Sequence, residues 1–133
     1  MTRMLFVNQP VADLAKSVDF FTALGFSFDR QFSDESAGCL VVNEQAVVML
    51  LARPFFGTFT TKEVADAGAS TETILCVSAA SREEVDTLVD RALELGAGPS
   101  REAQDHGFMY GRSFYDLDGH GWEVMWMDPA AVQ

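Results

Sequence analysis

Asp13-Leu-Ala-Lys-Ser-Val-Asp-Phe-Phe-Thr-Ala-Leu-Gly25 and Ser81-Arg-Glu-Glu-Val-Asp-Thr-Leu-Val-Asp-Arg-Ala-Leu-Glu-Leu-Gly96 read as two helices with the same punctuation. Each opens on a residue whose side-chain oxygen accepts a first-turn backbone N–H, and Ser81 with Glu84 forms a capping box. Each closes on glycine, which tolerates the left-handed backbone past a helix end. Leu14, Val18, Phe21 and Leu24 fall three or four apart, as do Val85, Leu88, Val89, Ala92 and Leu95. Each helix therefore covers something with one face.

What they cover repeats as well. A short strand at 4–8, expected to stop at Pro10, precedes the first helix, and strand-like runs at 26–32, 38–42 and 46–52 follow it. A strand at 72–78 precedes the second helix, and runs at about 100–103, 108–115 and 121–127 follow. Polar turns separate them, with Gly119 supplying the positive φ after Asp116-Leu-Asp. The expected fold is α+β: two tandem βαβββ modules, 1–52 and 71–133, in one domain with a cupped mixed sheet. Residues 53–70 are expected to be a folded connector, carrying Phe55, Phe56 and Phe59 and a short capped segment from Thr60 to Glu63. A four-stranded sheet with one covering helix leaves a face open, so two modules can turn their open faces toward a shared cleft.

Composition limits what such a chain does. Its 133 residues make one domain, and 9 Lys and Arg against 20 Asp and Glu give a net charge of −11. That balance, with no basic cluster, repels phosphate backbones and disfavours nucleic acid as a partner. Apolar runs such as 46–52 fall far short of the roughly 20 residues of a membrane span, so no membrane partner is expected. The amino-terminal residues have neither the length nor the cleavage site of a signal peptide. Cys39 and Cys76, both in apolar strand-like contexts, read as reduced, buried thiols in a cytoplasmic protein.

The opening Asn8-Gln-Pro-Val-Ala-Asp-Leu14, the later Phe20-Phe21-Thr-Ala-Leu-Gly-Phe26 and the closing Asp116-Leu-Asp-Gly-His-Gly-Trp-Glu-Val124 together resemble the vicinal oxygen chelate superfamily. That superfamily holds glyoxalase, bleomycin-resistance proteins, fosfomycin-resistance enzymes and extradiol dioxygenases. The resemblance covers nearly the whole chain and implies paired modules and a homodimer. It also implies one metal ligand from the first and last strand of each module. Carried over position by position, these fall on Phe6, Met49, about Ile74 and Glu123. Only Glu123 matches. Phe6, Met49 and Ile74 hold no hard divalent ion, and the Met49 thioether favours Cu(I). No metal or other cofactor is therefore expected.

Strand parity places the remaining candidates. Trp122, Val124 and Trp126 share one face of the last strand, and Glu123, Met125 and Met127 share the other. If the tryptophans lie under the helices, Glu123 lines the cleft. The same parity, anchored on the resemblance, adds Phe6, Asn8, Met49, Leu51, Ile74, Cys76 and Met125. Glu123 then reads either as a solvated surface acid or as the carboxylate of a greasy cleft, serving as proton acceptor or ligand anchor. Tyr110 and Arg112 are pocket candidates too, since Arg112 can fork onto a ligand carboxylate; its alternative is an ion pair with one of the many acids. His120 sits in a turn, and His106 lies in a polar loop that can reach the cleft rim. Asp116 and Asp118 imitate a calcium loop that fails at Met127, where a bidentate Glu belongs. No nucleophile elbow and no paired cysteine and histidine is present.

These readings converge on a glyoxalase- or bleomycin-resistance-like protein that has lost its metal site. It binds a small, partly apolar molecule, either as a sequestering module or as a metal-independent lyase or isomerase with Glu123 as base. The competing expectations are an active divalent-metal lyase or dioxygenase, and a ligand-free structural dimer with Phe55, Phe56 and Phe59 as its contact patch.

Overall fold

The continuous apolar run at 46–52 pairs with residues 5–11, giving strands β1 (Leu5–Val11) and β4 (Ala46–Ala52), which run parallel. The computed structural model describes residues 3–131 and divides into two units, one ending at Ala65 and the other beginning at Asp66. In the first unit β2 (Ser27–Phe28) and β3 (Ala37–Asn43) complete a sheet of order β1-β4-β3-β2, with β3 antiparallel to both neighbours. Strand β1 runs through Pro10 instead of stopping there. It is an edge strand, where a residue without an N–H interrupts no ladder on its outer side.

Helix α1 (Leu14–Ala23) starts where the Asp13 side chain accepts the Lys16 N–H at 3.1 Å and ends before Gly25 at φ 101°. It buries Ser17, Phe20 and Phe21 against Val48, Leu40 and Leu50 of the sheet. The covered stripe is thus rotated from the expected one, leaving Leu14 and Val18 half-buried at its flank. The predicted strand 26–32 is shorter than its apolar content suggests. The Asp29 carboxylate accepts the Gln31 N–H at 2.9 Å, and the Ser33 hydroxyl donates to the Asp29 carbonyl at 2.6 Å. These local bonds wind Arg30–Phe32 into a 3-10 turn.

The connector begins with a single turn, α2 (Arg53–Phe56), continued by a 3-10 turn at Gly57–Phe59. The Phe55 and Phe59 rings meet edge to face at 5.1 Å, and the Arg53 guanidinium donates to the Val64 carbonyl at 3.2 Å. At 60–63 the expected short capped segment is a bend without helix. The Thr60 hydroxyl accepts the Lys62 N–H at 3.1 Å, a local turn in place of a cap.

The second unit repeats the arrangement with β5 (Ile74–Ser78), α3 (Arg82–Glu94), β6 (Gly98–Pro99), β7 (Gln104–Asp105), β8 (Met109–Tyr115) and β9 (Gly121–Met127). The sheet order is β5-β9-β8-β6, β5 is parallel to β9, and β7 also pairs with β8. The strand expected at about 100–103 does not form: that polar run has no apolar face to bury, and it links the two-residue strands β6 and β7 that flank it. Ser81 caps α3 by accepting the Glu84 N–H at 3.1 Å, while the Glu84 carboxylate reaches the Ala80 N–H at 3.0 Å. Helix α3 presses Val85, Val89 and Ala92 onto Phe114, Trp122 and Val124, all at most 1 % exposed. Among the described residues no helix is long and apolar enough to cross a membrane.

Between β8 and β9 the chain turns on Asp116, whose buried carboxylate accepts the N–H groups of Asp118 and His120 and the Trp122 indole N–H at 2.9–3.0 Å. Gly119 lies at φ 89°, and a Cβ there would stand 2.8 Å from the Ala67 carbonyl oxygen. Both the backbone and the space exclude a side chain. Gly119→Ala is expected to cost about 3 kcal/mol. Urea denaturation checks this, and a loss below about 0.5 kcal/mol, the surface norm, refutes it.

Candidate functional site

The second unit's sheet has one face under α3 and one that is not. Strand β9 sends Trp122 and Val124 to the helix side and Glu123 and Met125 to the other. In the ladder Glu123 stands opposite Cys76 on β5 and opposite Ser113 on β8. Cysteine, carboxylate and hydroxyl therefore form one row across three adjacent strands, at the spacing of directly opposed residues.

The Glu123 side chain is 34 % exposed, neither solvated freely nor sealed, and its Oε2 lies 3.5 Å from the Arg101 guanidinium. A cavity of about 50 Å³ is lined by Glu123, Cys76, Ser113, Met109, Met125 and Gln104. A second of about 50 Å³ on the other side of Glu123 is bounded by Ile74, Ser113, Tyr115 and Trp122. The Ser113 hydroxyl oxygen is buried and has no hydrogen-bond partner among the described residues. Of the two thiols expected to be buried, Cys39 is, whereas Cys76 lies exposed on the face away from α3. Partial desolvation, and then the negative charge of Glu123, push the Cys76 thiol up, so it stays protonated and is a poor nucleophile. The row offers a carboxylate as base or acceptor with one hydroxyl beside it, in mixed surroundings where Met109 and Met125 meet the charged Arg101 and Glu102.

In the first unit Phe6 and Asn8 of β1 share a sheet face with Met49 and Leu51 of β4, Asn8 standing opposite Met49. Phe6 is 58 % exposed on that face, whereas Leu51 is buried. In the second unit Ile74, Cys76, Glu123 and Met125 share one face. These two sets are each assembled within their own unit.

Tyr110 and Arg112 lie on the helix side of the second sheet, where Arg112 forms the ion pairs expected as its alternative to a ligand contact. The Tyr110 hydroxyl donates to Asp86 at 2.6 Å, and the Arg112 guanidinium donates to Asp86 at 3.0 Å and Asp90 at 2.8 Å. Arg112 borders the Glu123 cavity, but its charged end is committed to α3. The Tyr110 hydroxyl bond, and then Arg112, hold the Asp86 carboxyl below the usual range. A signal was available in the sequence. Asp86 and Asp90 lie four apart on α3 beside Val85 and Val89, so they belong on the flank of its buried face. Missed entirely was Arg82, which lies over the Tyr110 and Trp126 rings at 4.7 and 5.5 Å and forks onto Asp105 at 3.1 and 2.5 Å.

His106 is exposed, its N–H bound to the Met109 carbonyl, and His120 sits in the Asp116 turn with its N–H on that carboxylate. Among the described residues no group of three or more His, Cys, Asp or Glu is placed to hold a metal ion. The four positions that the resemblance assigns to metal ligation supply one carboxylate, at Glu123, and one soft thioether, at Met49. A divalent site wants at least three protein donors of nitrogen, oxygen or thiolate type, and these residues do not fit one.

None of the curated proteins compared matches the chain significantly. Solved structures share its fold. The hypothetical protein SA1046 from S. aureus is 29% identical, with 94% of each chain covered and a TM-score of 0.80. A glyoxalase/bleomycin resistance protein/dioxygenase family enzyme from Burkholderia phytofirmans PsJN is 15% identical, covering 95% of this chain and 99% of its own, at 0.77. The fosfomycin resistance protein FosX from Listeria monocytogenes is 17% identical, with 95% and 93% covered, at 0.67. The family model of the glyoxalase/bleomycin resistance protein/dioxygenase superfamily matches residues 3–124, nearly the whole chain, and with the twin βαβββ units it fixes the family. The chain belongs to the glyoxalase/bleomycin resistance protein/dioxygenase superfamily.

Proposed function

We propose that the protein binds a small, partly apolar molecule on the sheet face that carries Glu123, and acts on it without a divalent metal. Glu123 anchors the ligand and serves as the base of a lyase or isomerase step, taking a proton from the substrate and returning it to a neighbouring position. One observation carries this reading. A partly shielded carboxylate stands in register between a neutral thiol and a hydroxyl with no partner among the described residues, at the one family ligand position that keeps an oxygen donor. A proton transfer needs one such group, whereas a metal site needs several. Family membership favours a homodimer, and the free thiols Cys39 and Cys76 favour a reducing, cytoplasmic setting.

Native mass spectrometry with elemental analysis, on protein purified from its own host without chelator, tests all of this together. The expected result is a dimer mass carrying about one organic molecule per chain and no stoichiometric metal. One divalent ion per chain that Glu123→Ala removes would replace this proposal with a metal-dependent lyase or dioxygenase. A ligand-free protein that no apolar small molecule stabilises would leave an interaction module.

A further inference from the structure

The first unit holds a larger recess, away from the sheet face that carries Phe6 and Met49. It is an open groove of about 680 Å³ between the outer flank of α1 and the β2 edge of the sheet, lined by α1, β2 and the turn at 30–35. Roughly 300–1,000 Å³ is the range of small-molecule sites. Its walls are Leu14 and Val18 from the helix and Phe26 and Phe28 from the strand side. Its floor is Gly38, where an added Cβ would meet Val18 at 3.1 Å, Phe28 at 3.3 Å and Leu14 at 3.4 Å. The glycine keeps the recess deep; any side chain there would project between the walls.

The rim is charged and unbalanced. Asp19 from α1 and Asp34 and Glu35 from the turn face a single Arg30, so the groove carries three negative charges against one positive. Asp34 is fixed in place by the Ser36 and Ala37 N–H groups at 2.8 and 3.0 Å. Among the described residues Asp19, Glu35 and Arg30 take part in no ion pair. The groove therefore combines an apolar bed containing two aromatic rings with unneutralised negative charge, on a chain of net charge −11. An anion is repelled by this rim. A neutral ligand leaves its charge unused. An organic cation uses both, with its apolar body on Phe26 and Phe28 and its charge facing the carboxylates.

We propose that this groove is a second binding site, independent of Glu123, for a monovalent organic cation with an apolar body, such as an aryl- or alkylammonium. The probe is benzyltrimethylammonium, with benzoate and benzyl alcohol as anionic and neutral counterparts, followed by amide shifts in two-dimensional NMR of the full chain. Saturable shifts are expected at Val18, Phe28 and Gly38 with the cation and not with benzoate, weakening as salt rises. Ala15 is exposed on the groove side of α1, so Ala15→Trp fills the recess without disturbing the core, and it is expected to abolish the shifts. Asp19→Asn combined with Glu35→Gln is expected to weaken binding by about tenfold. The proposal is overturned if benzoate or benzyl alcohol binds as tightly, if nothing saturates by about 10 mM, below which even a weak site shows, or if the shifts fall at 74–78 and 121–127. It is also overturned if Ala15→Trp dissociates a self-associated wild type in sedimentation, because the groove would then be an interface between copies.

Discussion

Trp122→Ala is expected to lower unfolding free energy by about 4 kcal/mol, the upper range for a buried aromatic. Two losses add. The indole is 1 % exposed beneath α3, and its removal leaves a void among Val85, Val89 and Phe114. Its N–H also donates to the buried Asp116 carboxylate, which loses that donor. Trp122→Phe separates the two, since it retains most of the packing and deletes the donor, at a cost of about 1–2 kcal/mol. The pH dependence identifies the cause. Burial raises the Asp116 carboxyl above its ordinary value, opposed by the His120 charge and the Trp122 N–H. A carboxyl raised in the folded state contributes stability below its unfolded pKa and loses it as pH climbs through the folded value. Losing the Trp122 N–H raises it further, so the gap between Trp122→Phe and wild type is expected to widen from about pH 4 to pH 7. A gap independent of pH, or a loss below about 2 kcal/mol for Trp122→Ala in denaturant titrations, contradicts this account.

Glu123→Gln is expected to lower kcat by at least about 100-fold on the substrate that copurifies with the protein, with KM little changed. Glutamine keeps the size and one acceptor oxygen, so binding survives while the base is lost. Stability is expected to change by less than about 1 kcal/mol, because the Arg101 partner is 64 % exposed and such pairs contribute little. Turnover and thermal denaturation measured on the same preparation make the distinction. Undiminished kcat removes Glu123 as base, and a stability loss beyond about 2 kcal/mol makes it a structural residue.

The elements that declared themselves in sequence were those with strong local chemistry. Asp13, Ser81, Gly25 and Gly96 act within one helical turn, and both helices lie where these residues set them. The apolar runs at 46–52 and 121–127 form β4 and β9 with the expected limits, because polar turns precede them and Arg53-Pro and Asp128-Pro follow them. Pro10 misled because its effect depends on whether its strand is central or at the edge, which only the sheet order decides. Arg30–Phe32 misled because short polar side chains at Asp29 and Ser33 outbid an apolar strand pattern. For β8 the alternation sorted residues into two sets without saying which set met the helix. Phe114, buried against Trp122, belongs with Tyr110 and Arg112, and that shared parity is what carries them to the helix side. The groove beside α1 was invisible for a different reason: its wall, floor and rim come from segments that only the folded chain brings together.

The row Cys76–Glu123–Ser113 has a consequence for heat tolerance. Its spacing is dictated by main-chain pairing of β5, β9 and β8, not by mobile loops or side-chain props. Such an arrangement has no private melting step. It persists while those strands stay zipped and vanishes with them, so warming leaves this constellation intact until the unit as a whole cooperatively comes apart.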